Sequence, residues 1–274
     1  MTIDHKILYD NESVSREYAS KDYLQPAERT VLEMLKSELP EMKMLDMGVG
    51  GGRTTKYFAP LVKSYIGADY ATAMIDVCLE KYGNEYFFLS CDARNMKEIA
   101  DNSYDLILFS YNGIDSFKGK DRIASLREIK RVLKPEGYFC FSSHNIDWEG
   151  LTDLFSIRYK TRLSEYDHSG NVIRSLRSIM KSAWRIFRLS LLNGSPCMSR
   201  HILSLRKKKK GHLYDDSLNG KAKVYYVSCD EQIRQLKEVG FKNVTTISRS
   251  GLITENASLL NKSGWIYYLC QVSK

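Results

Sequence analysis

A glycine-rich turn at residues 48–52 is the first element of this sequence that could bind a ligand, and it directly follows a short apolar run at 44–47. Glycine has no Cβ, so the backbone of such a turn adopts positive φ angles and lets a ligand approach closely. A helical pattern follows, and the start of a helix offers unpaired N–H groups to an anion. The spacing therefore predicts a strand, a binding turn and a helix in succession.

Acidic residues stand at or near the ends of three apolar runs. Asp46 lies two residues before Gly48, and Asp69 lies twenty-one residues beyond it. At that distance a carboxylate reaches the ribose hydroxyls of an adenosine held at the first strand, although an ordinary turn residue is the alternative for Asp69. Asp92 follows the third run, where it either accepts from an adenine amino group or caps a helix over 94–99.

Arg53 separates two nucleotide-binding classes. The nicotinamide fingerprint G-x-G-x-x-G, started at Gly48, needs glycine at position 53. The segment instead resembles the motif of class I (Rossmann-like) S-adenosylmethionine-dependent methyltransferases of the small-molecule type, in which a carboxylate at the position of Asp46 helps to place the donor's ammonium end. A nicotinamide-dependent oxidoreductase and a structural glycine turn without a ligand are the alternatives.

The resemblance extends over four motifs in the family's order within about 100 residues. It implies S-adenosyl-L-methionine as the methyl donor, with Asp69 at the ribose and with Asp92 and the backbone of Ala93 at the adenine edge. The donor-binding residues that it implies are Tyr18, Asp46, Gly48, Gly50, Gly52, Arg53, Asp69, Tyr70, Met74, Asp92, Ala93, Ser110 and Tyr111.

The acceptor is expected beside the donor, because ligands of open α/β sheets bind at the carboxyl ends of the strands where the strand order reverses. His144 follows the fifth predicted strand and is the candidate general base, since an imidazole titrates near neutral pH; a packing role without proton transfer is the alternative. The candidate acceptor-binding residues are Tyr111, Asn112, Asp115 and Asn145. No His or Cys cluster has metal-ligand spacing, so no metal is expected.

The elements that must position these residues alternate between strand and helix. Strands are predicted at 44–47, 64–68, 86–90, 104–109 and 138–143, with helices at 26–39 and 122–133. A capping box at Ser228 and Glu231 opens a helix that ends before Gly240, and strands at 242–247 and 264–272 follow. The expected fold is a three-layer, doubly wound α/β sheet of seven strands, mostly parallel with an antiparallel last strand, plus a mainly helical insertion before the sixth strand.

Three regions are expected along the chain. Residues 1–40 form an N-terminal helical lid segment, in which Tyr9, Tyr18 and Tyr23 either fold over the donor or pack at the surface. Residues 41–145 and 223–274 form the donor-binding domain. Residues 146–222 form a basic helical insertion that caps the acceptor.

The insertion carries the excess positive charge of the chain. Residues 151–222 hold fifteen Lys and Arg and five Asp and Glu, a local net charge of +10 within a total of +8. An amphipathic helix is predicted over 170–193, and residues 206–210 are expected to form a solvated loop. Three interpretations stay open: a helix roofing the site, a surface that attracts an anionic acceptor or an anionic membrane, or a nucleic-acid surface.

Three features of the sequence favour a cytoplasmic protein. The six cysteines are scattered, the N-terminus has no apolar run, and no long apolar stretch occurs. We therefore expect an S-adenosylmethionine-dependent methyltransferase that moves a methyl group to O or N of a small or medium-sized, anionic acceptor. Sugars, nucleotide sugars and lipid-linked saccharides are examples of such acceptors. An RNA methyltransferase is the alternative within the same chemistry.

Overall fold

The computed structural model describes residues 5–156 and 172–273, and the side chains of 172–179, 218 and 219 also lie outside the described set. Val172–Leu192 form the helix that is predicted over 170–193, and the first two residues of that predicted range lie outside the described set. Strands of the described part are β1 (Lys43–Met47), β2 (Ser64–Asp69), β3 (Phe87–Ser90), β4 (Tyr104–Phe109), β5 (Leu133–Asn145), β6 (Lys210–Tyr214), β7 (Lys223–Val227), β8 (Phe241–Ser248) and β9 (Trp265–Val272).

Helices of the described part are α1 (His5–Tyr9), α2 (Glu12–Ala19), α3 (Pro26–Leu35), α4 (Thr55–Phe58), α5 (Thr72–Tyr82), α6 (Gly119–Val132), α7 (Val172–Leu192), α8 (Met198–Lys207), α9 (Cys229–Val239) and α10 (Ala257–Leu260). Short 3-10 turns occur at Gly113–Ser116 and Ser217–Gly220, among other places. None of the helices within the described ranges combines the length and the apolarity that a bilayer-spanning segment needs.

The central sheet has the order β3-β2-β1-β4-β5-β9-β8. The first five strands are parallel, whereas β9 is antiparallel to both of its neighbours. One buried cluster packs α6 and α9 on one face of the sheet, and a second packs α3 and α5 on the other. The predicted doubly wound α/β fold is confirmed, and β1 and β4 flank the crevice where the strand order reverses.

The insertion adds a strand, β6, that the sequence analysis did not predict and that forms a hairpin with β7. β6 and β7 pair antiparallel, and Tyr226 of β7 pairs with His144 at the end of β5. The expected loop at 206–210 is wrong, because Arg206 and Lys207 end α8 and Lys210 begins β6. A separate buried cluster, which includes Ile202 of α8 and Leu213 of β6, joins these elements.

Two predicted helix features are also corrected. Residues 94–99 form turns rather than a helix, and Asp92 accepts from the backbone N of Arg94 at 2.9 Å. The predicted capping box at α9 is half formed: the Ser228 side chain accepts from Glu231 N at 3.3 Å, but the Glu231 carboxylate bonds Arg234 and Lys210 instead of returning to the cap.

Candidate functional site

The glycine turn after β1 brings bare backbone to the crevice. Gly48, Gly50 and Gly52 have φ angles of 65°, 55° and 73°, the left-handed region that favours glycine. A Cβ at Gly51 would lie 2.3 Å from the backbone N of Ala19, because the end of α2 packs directly on the turn. The N-terminal helices and the turn are therefore in backbone contact.

Asp69 ends β2 with its carboxylate beside the turn. Its Oδ2 accepts from Gly50 N and its Oδ1 from Ala71 N, both at 3.0 Å. Burial raises the pKa of this carboxyl to about 6, against the lowering effect of the backbone N–H donors. Each carboxylate oxygen can accept more than one hydrogen bond, so Asp69 retains acceptor capacity towards a ligand.

Asp46 is held more firmly by the protein itself. Its Oδ2 accepts from Thr54 Oγ1 at 2.5 Å and from the Tyr65 hydroxyl at 2.8 Å. Burial raises its pKa to about 6. The side chain borders the crevice, where an ionised Asp46 would favour a positively charged ligand group.

A buried ion pair beneath the turn was not found from the sequence. Arg53 donates to Glu28 through Nη1 at 2.6 Å and through Nη2 at 2.5 Å. Ser110 and Tyr267 also donate to the Glu28 carboxylate. The only sequence signal for Glu28 is its position three residues after Gln25, where the structure has a capping box that opens α3.

A cavity, here called the loop cavity, lies against the turn. Of the thirteen predicted donor-binding residues, eleven line it: Tyr18, Asp46, Gly48, Gly50, Arg53, Asp69, Tyr70, Met74, Ala93, Ser110 and Tyr111.

The other two predicted donor-binding residues do not line the loop cavity. Gly52 accepts from the Tyr82 hydroxyl at 2.7 Å through its carbonyl oxygen. The Asp92 carboxylate is turned onto Arg94, with Oδ2 at 2.6 Å from Nη2, although Cys91 and Ala93 on either side of it reach the cavity.

His144 is held by Asp115 on the same crevice edge. Asp115 Oδ2 lies 2.7 Å from both the backbone N and the ring Nδ1 of His144, and Asp115 Oδ1 accepts from Arg122 Nη1 at 2.7 Å. Burial lowers the pKa of His144, but the hydrogen bond and charge of Asp115 outweigh it and raise the pKa above its ordinary value. The other nitrogen, Nε2, lies 3.4 Å from Asn112 Nδ2.

A second cavity, here called the histidine cavity, adjoins the loop cavity. Tyr9, Tyr18, Lys21, Tyr111 and Ser116 line both cavities. The residues that line the histidine cavity alone include Asn112, His144, Asp216, Ser217, Lys221 and Trp265. The two spaces are thus neighbours across a shared wall that is rich in tyrosine.

Asp115 and Asn145, predicted to bind the acceptor, lie behind the cavity wall. Asp115 is buried beneath His144, so its role in this arrangement is to support the imidazole. Asn145 is also buried, and its Nδ2 donates to the carbonyl oxygens of Leu260 and Ser263. Tyr111 and Asn112 line the cavity in left-handed backbone conformations, with φ angles of 55° and 61°.

The N-terminal helices cover both cavities. The rings of Tyr9 and Tyr18 meet edge to face with centroids 5.8 Å apart, and Tyr9 packs similarly on Tyr70. His5 Nε2 hydrogen-bonds the carbonyl oxygen of Lys223 in the insertion hairpin at 2.8 Å. Of the three tyrosines expected in a lid, Tyr23 is the one that lines neither cavity.

Comparisons with known proteins identify the domain that carries this site. Residues 45–141 match the family model of the methyltransferase domain. The uncharacterized methyltransferase YcgJ of Bacillus subtilis (strain 168) is 28% identical over 131 residues, 47% of this chain and 50% of that protein. The chain therefore matches about half the length of this curated relative.

Solved structures share the fold along most of the chain. A possible histamine N-methyltransferase from Thermotoga maritima has a TM-score of 0.54 at 16% identity and covers 97% of this chain and 99% of its own. The 1,6-didemethyltoxoflavin-N1-methyltransferase of Burkholderia thailandensis was solved with 1,6-didemethyltoxoflavin and S-adenosylhomocysteine. It has a TM-score of 0.55 at 12% identity, and the match covers 100% of this chain and 92% of that one. At these identities the likeness shows a shared fold.

Proposed function

Because this chain contains a class I S-adenosylmethionine-dependent methyltransferase domain, we propose that it transfers a methyl group to O or N of a small or medium-sized acceptor bound in the histidine cavity. The observation that carries this proposal is the position of His144. Its imidazole lines a cavity that shares a wall with the loop cavity, and its Nδ1 is tied to Asp115 at 2.7 Å.

The residues of the loop cavity fit the donor. The bare backbone of the turn would admit the methionine part, Asp46 would face the ammonium end and Asp69 would offer its carboxylate to the ribose. When bound, the donor supplies a methyl group already activated by its sulfonium. The protein's part is to hold the two reactants in line and to exclude water, and the tyrosines of α1 and α2 cover both cavities for that purpose.

His144 acts on the acceptor's proton. With Nδ1 committed to Asp115, a neutral His144 presents the lone pair of Nε2, which accepts a proton from a hydroxyl acceptor as the new bond forms. An acceptor with a free amine needs this help less, because its nitrogen already has a lone pair. The arrangement therefore favours oxygen as the acceptor atom.

The acceptor is anionic in this proposal, for example a phosphorylated sugar, a nucleotide sugar or a lipid-linked saccharide. Lys21 and Lys221 line the histidine cavity. Of the acidic residues there, Asp216 is paired with Arg185 at 2.5 Å and Glu17 is paired with Lys21 at 3.6 Å, so among the described residues Lys221 is the lining cation that neither pair compensates. Residues 146–222 serve as the acceptor cap, since they contribute Asp216, Ser217 and Lys221 to the cavity.

Calorimetric titration with S-adenosylhomocysteine and with NAD tests the donor. We expect binding of S-adenosylhomocysteine, and a preference for NAD would contradict the proposal. Transfer of tritiated methyl groups to fractions of a cell extract, separated by size and charge, then identifies the acceptor.

The variant His144→Ala tests the base, with His201→Ala on α8 as a matched control outside both cavities. For a hydroxyl acceptor we expect kcat to fall by ~10²–10⁴-fold in His144→Ala, with S-adenosylhomocysteine affinity unchanged. Equal rates in the two variants would remove His144 from the mechanism without affecting the donor assignment.

A further inference from the structure

Helix α7 exposes a stripe of large apolar side chains. Met180, Trp184, Phe187 and Leu191 are 71%, 66%, 58% and 71% exposed. Their spacings of four, three and four residues place them on one face of the helix. The rings of Trp184 and Phe187 lie 5.7 Å apart and form the centre of this stripe.

The stripe is distinct from the face by which α7 is attached to the protein. On that face Ser182 and Leu189 are buried, at 6% and 3% exposure. Arg185 ties the helix down, since it pairs with Asp216 at 2.5 Å and donates to the carbonyl oxygen of Leu154 at 3.1 Å. The packing of α7 against the insertion therefore leaves the apolar stripe uncovered.

The sequence around the stripe is positively charged throughout. Residues 172–213 contain eleven Lys and Arg and no Asp or Glu. Lys181 lies beside the stripe, and on α8 the exposed residues Arg200 and Lys207 share a helix face with Leu203, which is 53% exposed. None of these three cations is in an ion pair within the described part of the chain.

We propose that the apolar stripe of α7 with Lys181 beside it, here called the membrane face (Met180, Lys181, Trp184, Phe187 and Leu191), docks on an anionic lipid surface, and that Arg200 and Lys207 of α8 add to the attraction. Large apolar and aromatic side chains flanked by Lys and Arg are the features by which a helix lies in a lipid interface. Each Lys or Arg near an anionic surface adds attraction.

The charge argues against two other occupants. A second copy of the chain would bring two faces of the same positive sign together, which is unfavourable. The phosphates of a nucleic acid would pair with the Lys and Arg side chains. A nucleic acid has no apolar phase, however, in which Met180 and Leu191 could be buried. The membrane face is connected to the histidine cavity through Arg185, because its partner Asp216 lines that cavity.

The test is flotation of the full chain with vesicles of phosphatidylcholine alone and with vesicles that also contain phosphatidylglycerol. We expect binding to the anionic vesicles, weaker binding to the neutral ones and partial loss at high salt. The double variant Trp184→Gln/Phe187→Gln should weaken binding by about tenfold or more, since it removes two apolar side chains that the lipid would bury.

The matched control is Leu252→Gln/Ile253→Gln, which changes two apolar residues of 50% and 49% exposure outside the membrane face. It should bind vesicles as the unchanged chain does. All variants should bind S-adenosylhomocysteine equally. This binding is measured apart from vesicle binding, so a folding defect or a failure of the proposed function is not mistaken for a loss of membrane docking.

Three outcomes would overturn the proposal. The first is absence of binding to anionic vesicles by a chain that binds S-adenosylhomocysteine, and the second is an equal loss in the control variant. The third is a competing occupant: a concentration-dependent dimer that the Trp184→Gln/Phe187→Gln variant abolishes, or binding to total RNA that displaces the vesicles.

Discussion

Asp115 organises three neighbours from a fully buried position. It accepts from the ring and the backbone of His144, from Ser143 Oγ at 2.7 Å and from Arg122, which is itself 1% exposed. Nearly every bond that Asp115 makes therefore serves to place His144 or to compensate the charge of Arg122. The imidazole tautomer follows from this, because a carboxylate that accepts at Nδ1 leaves Nε2 without a proton when the ring is neutral.

The pH dependence of the reaction should report on His144. A base must be neutral to accept a proton, so the rate should fall as the pH drops through the pKa of His144. Asp115 holds that pKa above the ordinary value of 6.5. We expect the midpoint of the kcat profile for a hydroxyl acceptor above 6.5, measured at saturating substrates. The residual rate of His144→Ala should lack this midpoint, and an identical profile in that variant would contradict the prediction.

Asp115→Asn should cost stability as well as activity. The neutral amide leaves the guanidinium of Arg122 buried without its counter-charge, and such a loss typically costs ~3–5 kcal/mol. The measurement is urea unfolding at neutral pH. The control Asp121→Asn removes an exposed partner of Arg94 at 3.3 Å and should change stability by less than ~1 kcal/mol. Similar losses in both variants would show that the buried pair has no special role.

At the scale of the element, α2 and the glycine turn fit together without side chains between them. The end of α2 at Ala19 lies where a Cβ of Gly51 would stand, and Tyr18 extends from the same turn of helix into the loop cavity. The packing of α2 against the turn therefore depends on one residue, Gly51.

Gly51→Ala should displace α1 and α2 while the sheet stays intact. Its new methyl group would lie 2.3 Å from Ala19 N and 2.6 Å from Tyr18 C, which are backbone atoms that cannot rotate away. We expect S-adenosylhomocysteine affinity to fall by about tenfold and amide exchange in α2 to increase. The control is Gly264→Ala, because its φ lies outside the left-handed region and its added Cβ would come no closer than 3.5 Å to the side chain of Trp148, an ordinary contact. Unchanged exchange in α2 would contradict the role of this contact.

The central sheet is predictable from the sequence because its strands are local apolar runs punctuated by turns. The β6–β7 hairpin is not, since residues 206–210 are all charged and their local composition indicates solvent exposure. Pairing with β7, together with the ion pairs of Lys209 with Asp230 and Lys210 with Glu231 at 2.8 Å, stabilises them in regular structure. Tertiary contacts here override local preference.

The candidate site likewise contains residues that are predictable from the sequence and residues that are not. The residues after β1, β2 and β4 are predictable because strand ends converge at one edge of a parallel sheet. Glu28 and Arg122 are not, because each is a charged residue on an amphipathic helix and only the folded chain shows that its side chain is buried. The family resemblance implies Asp92 at the adenine edge, but its ion pair with Arg94 depends on a turn that replaces the expected helix.

For the whole molecule, we expect the proposed donor site to couple ligand binding to stability. The pKa values of Asp46 and Asp69 are both raised to about 6 in the folded chain. A carboxyl whose folded pKa is raised contributes its stability below the unfolded pKa and loses that contribution as the pH rises through about 6. The ligand's positive ammonium group reverses this preference, because it favours the ionised form of Asp46.

The thermal shift caused by S-adenosylhomocysteine should therefore be larger at pH 8 than at pH 5.5. At a concentration one hundred times the Kd, the ligand adds ~2.7 kcal/mol of stability. Protonation of the two carboxyls at the lower pH raises the Kd, so the same ligand concentration stabilises the protein less. Differential scanning fluorimetry at both pH values, with ligand-free samples as controls, measures the effect. A larger shift at pH 5.5 would contradict the assignment of these carboxyls to the donor.

The hydrogen bond from His5 to the carbonyl oxygen of Lys223 joins the first helix of the chain to the insertion hairpin. Since residues of α1 and α2 also line the loop cavity, we expect one displacement of these helices to widen both cavities. If product release needs that displacement, its frequency limits turnover however fast the chemistry is. The steady-state rate would then fall as solvent viscosity rises, because viscosity slows large motions but not proton transfer.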